Sequence, residues 1–453
     1  MTYRLSLKCW FYLVALLAFS AGAVLHPGAQ EPTTESVFAD APFDAWQAQG
    51  PQAQVPWQIH MVADKLSFHQ RLIANIQVEV PGPELLKRRG DGQILLLVQV
   101  RNGLGVSSRD FETLELSELK PEAKRSDVEF SWQAFAVPGQ YEVSVALWDK
   151  KSGEHNFMQR LFNVSAYKND PLPGMWRGLE PFEFWSTNRE GPGFIFHSDI
   201  EGRLYLPLQT RRPVHMEVLL DMTPSADIFR GSYGYYNRYL SAALPMFKVF
   251  NQINVTNGSK SAAALDLLQR QVRFEQDDGK DLDWPSLSKA LAPDNGPGVV
   301  SVKDLKNRQQ SPVYLREEIL RRIKADTEQK TKQREKPLHV IVLIGNPMDT
   351  YTFPSLPAIE TGNEEDCLIY YLQFDFSEHE EIRFGGGRFR GDRLDRRDKG
   401  DRGFQHFERQ GYLGAAGNVE KMLKPLKMRT FQIRSADDVR HALAKVLEEV
   451  GKL

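Results

Sequence analysis

Residues 214–225 read Val-His-Met-Glu-Val-Leu-Leu-Asp-Met-Thr-Pro-Ser. Strand-forming residues run from Val214 to Leu220, and the run stops at Asp221, Thr223 and Ser225. A mostly apolar run that ends in small oxygen-bearing side chains has the form of a central strand of a parallel sheet, buried on both faces. Sheets of that kind bind ligands beyond the carboxyl ends of their strands. The loop after Leu220 is therefore the first place to look for a fixed site.

Downstream, the pattern alternates between strand and helix. A helix is predicted between Tyr236 and Asn251, two short strands over Ala262–Leu268 and Gln271–Glu275, and a short helix around Trp284–Leu291. A longer helix starts near Pro312 with Ser311 as its N-cap, carrying Leu315, Ile319, Leu320 and Ile323 on one face. Strands follow over His339–Ile344, Cys367–Phe374 and Met428–Ile433. Ser435 then opens a last helix whose inner stripe is Val439, Leu443, Val446, Leu447 and Val450. This alternation predicts an α/β doubly wound domain with a mainly parallel sheet.

Upstream, the period changes to two. Leu72, Ala74, Ile76, Val78 and Val80 alternate with more polar neighbours, as do Ile94, Leu96, Val98 and Val100, and then Tyr141, Val143, Val145 and Leu147. Regular short strands separated by Pro-Gly and Ser-Gly turns predict an antiparallel β-sandwich. Pro138-Gly139-Gln140-Tyr141 resembles the tyrosine corner of immunoglobulin-like sandwiches. Between the two halves lie Trp176, Phe182, Phe184 and Trp185, read either as a plug between domains or as a ligand platform.

A chain of 453 residues requires more than one core. Its net charge of −2 gives no global field directed at nucleic acid or anionic membrane. Arg4 and Lys8 precede an apolar run from Cys9 to Leu25, with Ala21-Gly22-Ala23 in the pattern of a cleavage site. That layout predicts a secretory signal peptide, with an uncleaved anchor helix as the other reading. Cleavage leaves Cys367 as the one cysteine, which excludes an intramolecular disulfide and a cysteine-based zinc site.

The second half resembles the von Willebrand factor type A family. Val-Leu-Leu-Asp-Met-Thr-Pro-Ser looks like its first strand and D-x-S-x-S motif, with Thr223 as a variant. Ser311-Pro312-Val313-Tyr314 looks like its T-P-L-Y turn, and residues 340–350 look like its V-I-L-L-T-D-G-x-D-T stretch. With a sandwich in front, the arrangement is similar to exported bacterial envelope proteins of that family. The implied organisation is multidomain: signal peptide 1–23, flexible tether 24–54, immunoglobulin-like sandwich 55–166, connector 167–211, and a Rossmann-like type A domain over 212–453.

In that family three loops hold a hard divalent cation, usually magnesium, and a protein partner completes its shell with an acidic group. Oxygen ligands suit such a cation. The resemblance places Asp221, Thr223 and Ser225 in the first loop and Ser311 in the second. The third loop departs from the family, because its usual Asp falls at Gly345 or Asn346; Asn346 and Asp349 are the ligand-binding candidates there. The site is accordingly degenerate. The alternative reading is that Thr223 and Ser225 cap the next segment while Asp221 anchors the loop by hydrogen bonds.

Residues 383–402 hold eight Arg or Lys and four Asp among glycines, which predicts a long solvated loop. No G-x-S-x-G, H-E-x-x-H, phosphate loop or dinucleotide fingerprint is present. The expectation is an exported, non-enzymatic module of the periplasm, cell envelope or exterior. It binds a protein partner, not nucleic acid, and touches membrane only through an uncleaved signal segment. A metal-free scaffold of an envelope assembly is the alternative.

Overall fold

The computed structural model describes residues 33–185, 202–223, 233–277, 281–291, 303, 310–330, 337–345, 358–359, 367–374, 419 and 421–453. The signal-peptide region, residues 24–32 of the expected tether, Ser225, Asn346, Asp349 and the 383–402 loop lie outside them.

The described chain opens with α1 (Thr34–Asp40) and α2 (Phe43–Gln49), followed by β1 (Gln52–Ala53), β2 (Gln58–Leu66), β3 (Leu72–Pro81) and α3 (Gly82–Lys87). Then come β4 (Gln93–Asn102), β5 (Ser107–Glu115), β6 (Asp127–Ala136), β7 (Gly139–Asp149), β8 (His155–Val164) and β9 (Phe182–Phe184). Two antiparallel sheets result, ordered β1-β8-β7-β4-β5 and β2-β3-β6-β9. Their facing residues, among them Ile76, Val78, Leu96, Val98, Trp132 and Val145, form one core. The period of two in β3 is the cause: every second residue from Leu72 to Val80 is buried. The Tyr141 hydroxyl donates to the carbonyl of Val137, four residues upstream, at 2.7 Å, closing the corner its sequence context predicts.

β4 departs from strict alternation. Leu95 and Leu97 point to the outer face with Ala146 and Phe157, and that face is covered by Val37, Phe38, Phe43 and Trp46 of α1 and α2. The expected flexible tether is thus corrected from Thr34 onward: the segment is two docked helices. A strand that is apolar on both faces needs a second covering layer, and these four side chains supply it. Trp46 stacks on His155 with ring centroids 4.7 Å apart.

The second half contains β10 (Pro207–Leu208), β11 (Val214–Asp221), α4 (Tyr233–Asn251), β12 (Asn254–Val255), β13 (Gly258–Asp266), β14 (Gln271–Asp277), α5 (Trp284–Leu291), α6 (Ser311–Lys330), β15 (Leu338–Gly345), β16 (Cys367–Phe374), β17 (Arg429–Ile433) and α7 (Ala436–Gly451). Its main sheet runs β14-β13-β11-β15-β16-β17, with β11 in the interior. β11 pairs in parallel with β13 and β15, whereas β14 is antiparallel to β13.

The expected doubly wound α/β class is corrected here. Strand outweighs helix over the described chain, two of its sheets are wholly antiparallel, and the six-stranded sheet carries an antiparallel edge. The physical reason is legible at residues 267–270. A turn of that length, with Arg270 at φ 54°, cannot carry a crossover helix, so β14 must fold back on β13. Ser311 is likewise corrected: it lies inside α6, not at an N-cap preceding it. Ser435 does cap α7, in a capping box with Asp438.

The connector joins the halves. Phe182 enters the sandwich core, and Trp176 packs against both cores while its indole N–H donates to the Gln70 carbonyl at 2.7 Å. Arg440 of α7 is fully buried at this joint. It grips Asp170 through two bonds of 2.9 and 2.6 Å and lies 4.7 Å from the Trp176 ring centroid. The plug reading of these aromatics describes Trp176.

Candidate functional site

β11 delivers Asp221 to the carboxyl end of the six-stranded sheet, beside β13 and β15. Asp221 Oδ1 accepts from the Thr223 backbone N–H at 2.9 Å and from the Thr223 hydroxyl. The Thr223 hydroxyl oxygen in turn accepts from the Leu267 N–H at 2.8 Å, tying the loop after β11 to the β13–β14 turn. Tyr239 of α4 donates to the Asp221 carbonyl. Among the described residues Asp221 Oδ2 has no hydrogen-bond partner.

Asp266, at the end of β13, is the second carboxylate in this region. It is paired with Arg273 at 3.1 Å and accepts from the Gln269 N–H at 2.9 Å. Burial pushes the Asp221 carboxyl up to about 7; the two Thr223 bonds pull it down, and the charge of Asp266 adds to the rise.

Of the sequence candidates, Asp221 and Thr223 come together. Ser311 is buried at the start of α6, and among the described residues it shares no hydrogen bond with either. Tyr314, one turn further on, feels the Asp266 charge, which brings the start of α6 toward the same end of the sheet. Gly345 ends β15 facing Asp221: a Cβ there would lie 3.7 Å from Asp221 Cβ and 3.1 Å from the Tyr371 ring. Gly345, one of the two positions where the family implies a third-loop carboxylate, thus has no side chain and little room for one; the other, Asn346, lies outside the described residues.

Among the described residues, Asp221, Thr223 and Gly345 do not by themselves assemble a magnesium shell; Ser225, Asn346 and Asp349, which are also candidate ligands, lie outside them. A hard divalent cation takes six or more oxygens and favours several carboxylates. The described residues offer one unengaged carboxylate oxygen, a threonine hydroxyl already donating and accepting, and no charge at Gly345.

A second polar cluster was missed in the sequence. His215 and Glu217 of β11, with His339 of β15, place three possible ligand atoms within 4.8 Å of one another on one face of the sheet. The signal was available: His-x-Glu interrupts an apolar strand, and a histidine opens its neighbour. Glu217 bonds to Arg322 of α6 and lies 3.3 Å from His339 Nε2. His215 touches Ser259 at 2.6 Å and Ser261 at 3.1 Å. Burial alone would raise the Glu217 pKa, but the His339 hydrogen bond and the Arg322 charge outweigh it and hold the carboxyl at about 2. The guanidinium already serves as the cation of this cluster, so its arrangement is that of a buried ion network.

No protein-family model matches the chain. No curated protein matches it either. Among solved structures, one similar chain is a structural-genomics target of the Northeast Structural Genomics Consortium, at 10% identity and a TM-score of 0.17, covering 25% of this chain and 88% of the other. Another is a β-glucuronidase of Parabacteroides merdae crystallised with glycerol in its active site, at 12% identity and a TM-score of 0.18, covering 67% of this chain and 31% of that one. Scores this low carry no argument about fold or activity. Among the described residues no helix is long and apolar enough to cross a membrane.

Proposed function

We propose that this chain is an exported, non-enzymatic binding protein that meets a protein partner at the carboxyl end of its six-stranded sheet. The place is the one implied by the resemblance to the von Willebrand factor type A family; the means differ, because the partner interaction does not depend on a resident magnesium ion. The observation that carries the reading is Asp221. It is a buried carboxyl group at the mouth of an interior strand, with one oxygen unengaged by any described residue and a proton affinity raised to about 7. A donor group from a partner satisfies that oxygen, and the fixed bonds to Thr223 hold the carboxyl in place to receive it. Export rests on the basic and then apolar N-terminal sequence.

The test is capture from an envelope extract of the source organism by immobilised full-length protein, with Asp221→Asn alongside and circular dichroism to verify folding. The reading expects at least one protein retained by the wild type and lost by the variant. Identical retained sets refute it. A second reading, a metal-free scaffold in an envelope assembly, is favoured by the joint at Arg440, which fixes the sandwich to the second half. In that case capture is insensitive to Asp221.

A further inference from the structure

His215, Glu217 and His339 share one face of the main sheet toward its amino end, away from Asp221. The strand register explains their meeting. His215 of β11 pairs directly with His339 of β15, and Glu217 follows two places after His215, so all three side chains leave the sheet on the same side. The two imidazole rings stand 5.2 Å apart between centroids. Glu217 is 3% exposed and His339 1%, whereas His215 is half-buried. The carboxylate divides its two oxygens: Oε1 accepts from Arg322, and Oε2 lies 3.3 Å from His339 Nε2. Ser259 and Ser261 of β13 stand beside the His215 ring, 2.6 Å from Nδ1 and 3.1 Å from Nε2. Ser259 also lines a surface cleft of about 740 Å³, which gives an approach to the cluster from solvent.

We propose that this cluster binds a zinc ion through His215, Glu217 and His339, with Glu217 Oε2 as the carboxylate donor. Two imidazoles and a carboxylate suit zinc, which takes such donors and keeps a fourth position for water. A tetrahedral ion with bonds of about 2.0–2.2 Å holds its donors about 3.3–3.6 Å apart. The His339–Glu217 separation of 3.3 Å already meets that spacing. A ring nitrogen of His215 completes a set of donor atoms lying within 4.8 Å of one another, and a small turn of the half-buried ring closes the difference. The surrounding groups orient these ligands. With Nδ1–H donating to Ser259, His215 Nε2 carries the lone pair, and the Ser261 hydroxyl stands next to that nitrogen. Arg322 holds the other carboxylate oxygen and so aims Oε2 at His339. The Arg322 charge is itself met by Glu275 at 2.9 Å and Glu318 at 3.5 Å, so the guanidinium keeps its place when a second cation takes the far oxygen. The ion network and the zinc site are two uses of one carboxylate. The site shares no residue with the partner reading at Asp221 and survives its failure.

The test is titration calorimetry of the chelator-treated full chain with zinc chloride near neutral pH, with cobalt(II) absorption as a second readout. A saturable zinc site is expected, together with the visible bands of a four-coordinate cobalt ion. His215→Gln should weaken that site about tenfold or more and remove the cobalt bands, while His441→Gln, at an exposed position of α7, leaves both in place. Zinc binding should also weaken as pH falls from 7 to 5, because ligating imidazoles must give up their protons. Circular dichroism verifies folding; His215 is the decisive position because the buried His339 is the less tolerant of change. Should His215→Gln fold poorly, the wild type still decides: bound zinc should protect His215 from diethyl pyrocarbonate, mapped by mass spectrometry. No saturable zinc binding, equal affinity and cobalt spectra in His215→Gln, or equal labelling of His215 with and without zinc overturns the proposal.

Discussion

Replacing Arg440 by methionine tests the joint between the two halves. Arg440 is fully buried, and the Asp170 side chain is 9% exposed. The guanidinium makes two charge-assisted bonds to Asp170, a third to the Leu172 carbonyl at 3.2 Å, and a cation–π contact with Trp176. Methionine fills much of the volume but leaves the Asp170 carboxylate without its cation. Breaking a buried pair from one side costs about 3–5 kcal/mol, and the lost contact with Trp176 adds about 1 kcal/mol. A loss of about 5 kcal/mol is therefore expected, read as a fall in the urea midpoint followed by tryptophan fluorescence and circular dichroism. The double variant Arg440→Met/Asp170→Leu removes both charges and should recover most of the loss, since apolar replacements of buried pairs are often close to neutral. A loss below about 1 kcal/mol in the single variant, or no recovery in the double, would refute the electrostatic account of the joint.

Trp46→Ala should cost about 3 kcal/mol if α1 and α2 are a true covering layer on the sandwich, because Trp46 is 5% exposed and packs on Trp148 and His155; a midpoint unchanged in urea would return the segment to a loose tether. Glu217→Gln should cost about 3 kcal/mol at neutral pH. The Glu217 carboxyl titrates at about 2 in the fold against an ordinary 4.5, so its contribution is complete above that ordinary value and is lost as pH falls through it toward 2. Wild type and variant should therefore converge in acid, and parallel pH profiles would contradict the ion network.

What the sequence discloses and what it hides follow from how far apart the contributing residues lie. The alternation from Leu72 to Val80 encodes one strand face locally, and the structure keeps it. The stop at Asp221 is equally local, and the residue does sit at the strand end. The covering role of Val37, Phe38, Phe43 and Trp46 is masked because these side chains are scattered through a polar, Pro- and Gln-rich stretch; only the doubly apolar Ile94–Val98 run hints that something must cover it. Asp266 reaches the Asp221 region only through the β11–β13 register, which no local pattern encodes. Arg440 reads as the polar flank of an amphipathic helix, yet it turns inward because Asp170, far away in sequence, waits there. Counting alternating elements in the second half suggested a doubly wound α/β class, and the tight turn between β13 and β14 shows why element order alone misleads.

The proposed partner site needs Asp221 to be a fixed carboxyl group that titrates near neutrality and works without a resident metal. The most direct measurement is the urea stability of wild type and Asp221→Asn across pH 5 to 8, with and without millimolar magnesium chloride. A folded pKa of about 7 against an ordinary 3.8 means the native state holds the proton more tightly than the unfolded chain. The stabilising effect is complete at low pH and is lost as pH rises through the folded value. Relative to the variant, wild type should lose about 2 kcal/mol between pH 5 and pH 7, and magnesium should leave that curve in place. A flat difference, or a wild-type curve that magnesium raises at neutral pH while the variant stays unmoved, would contradict the account and restore a metal to the strand end.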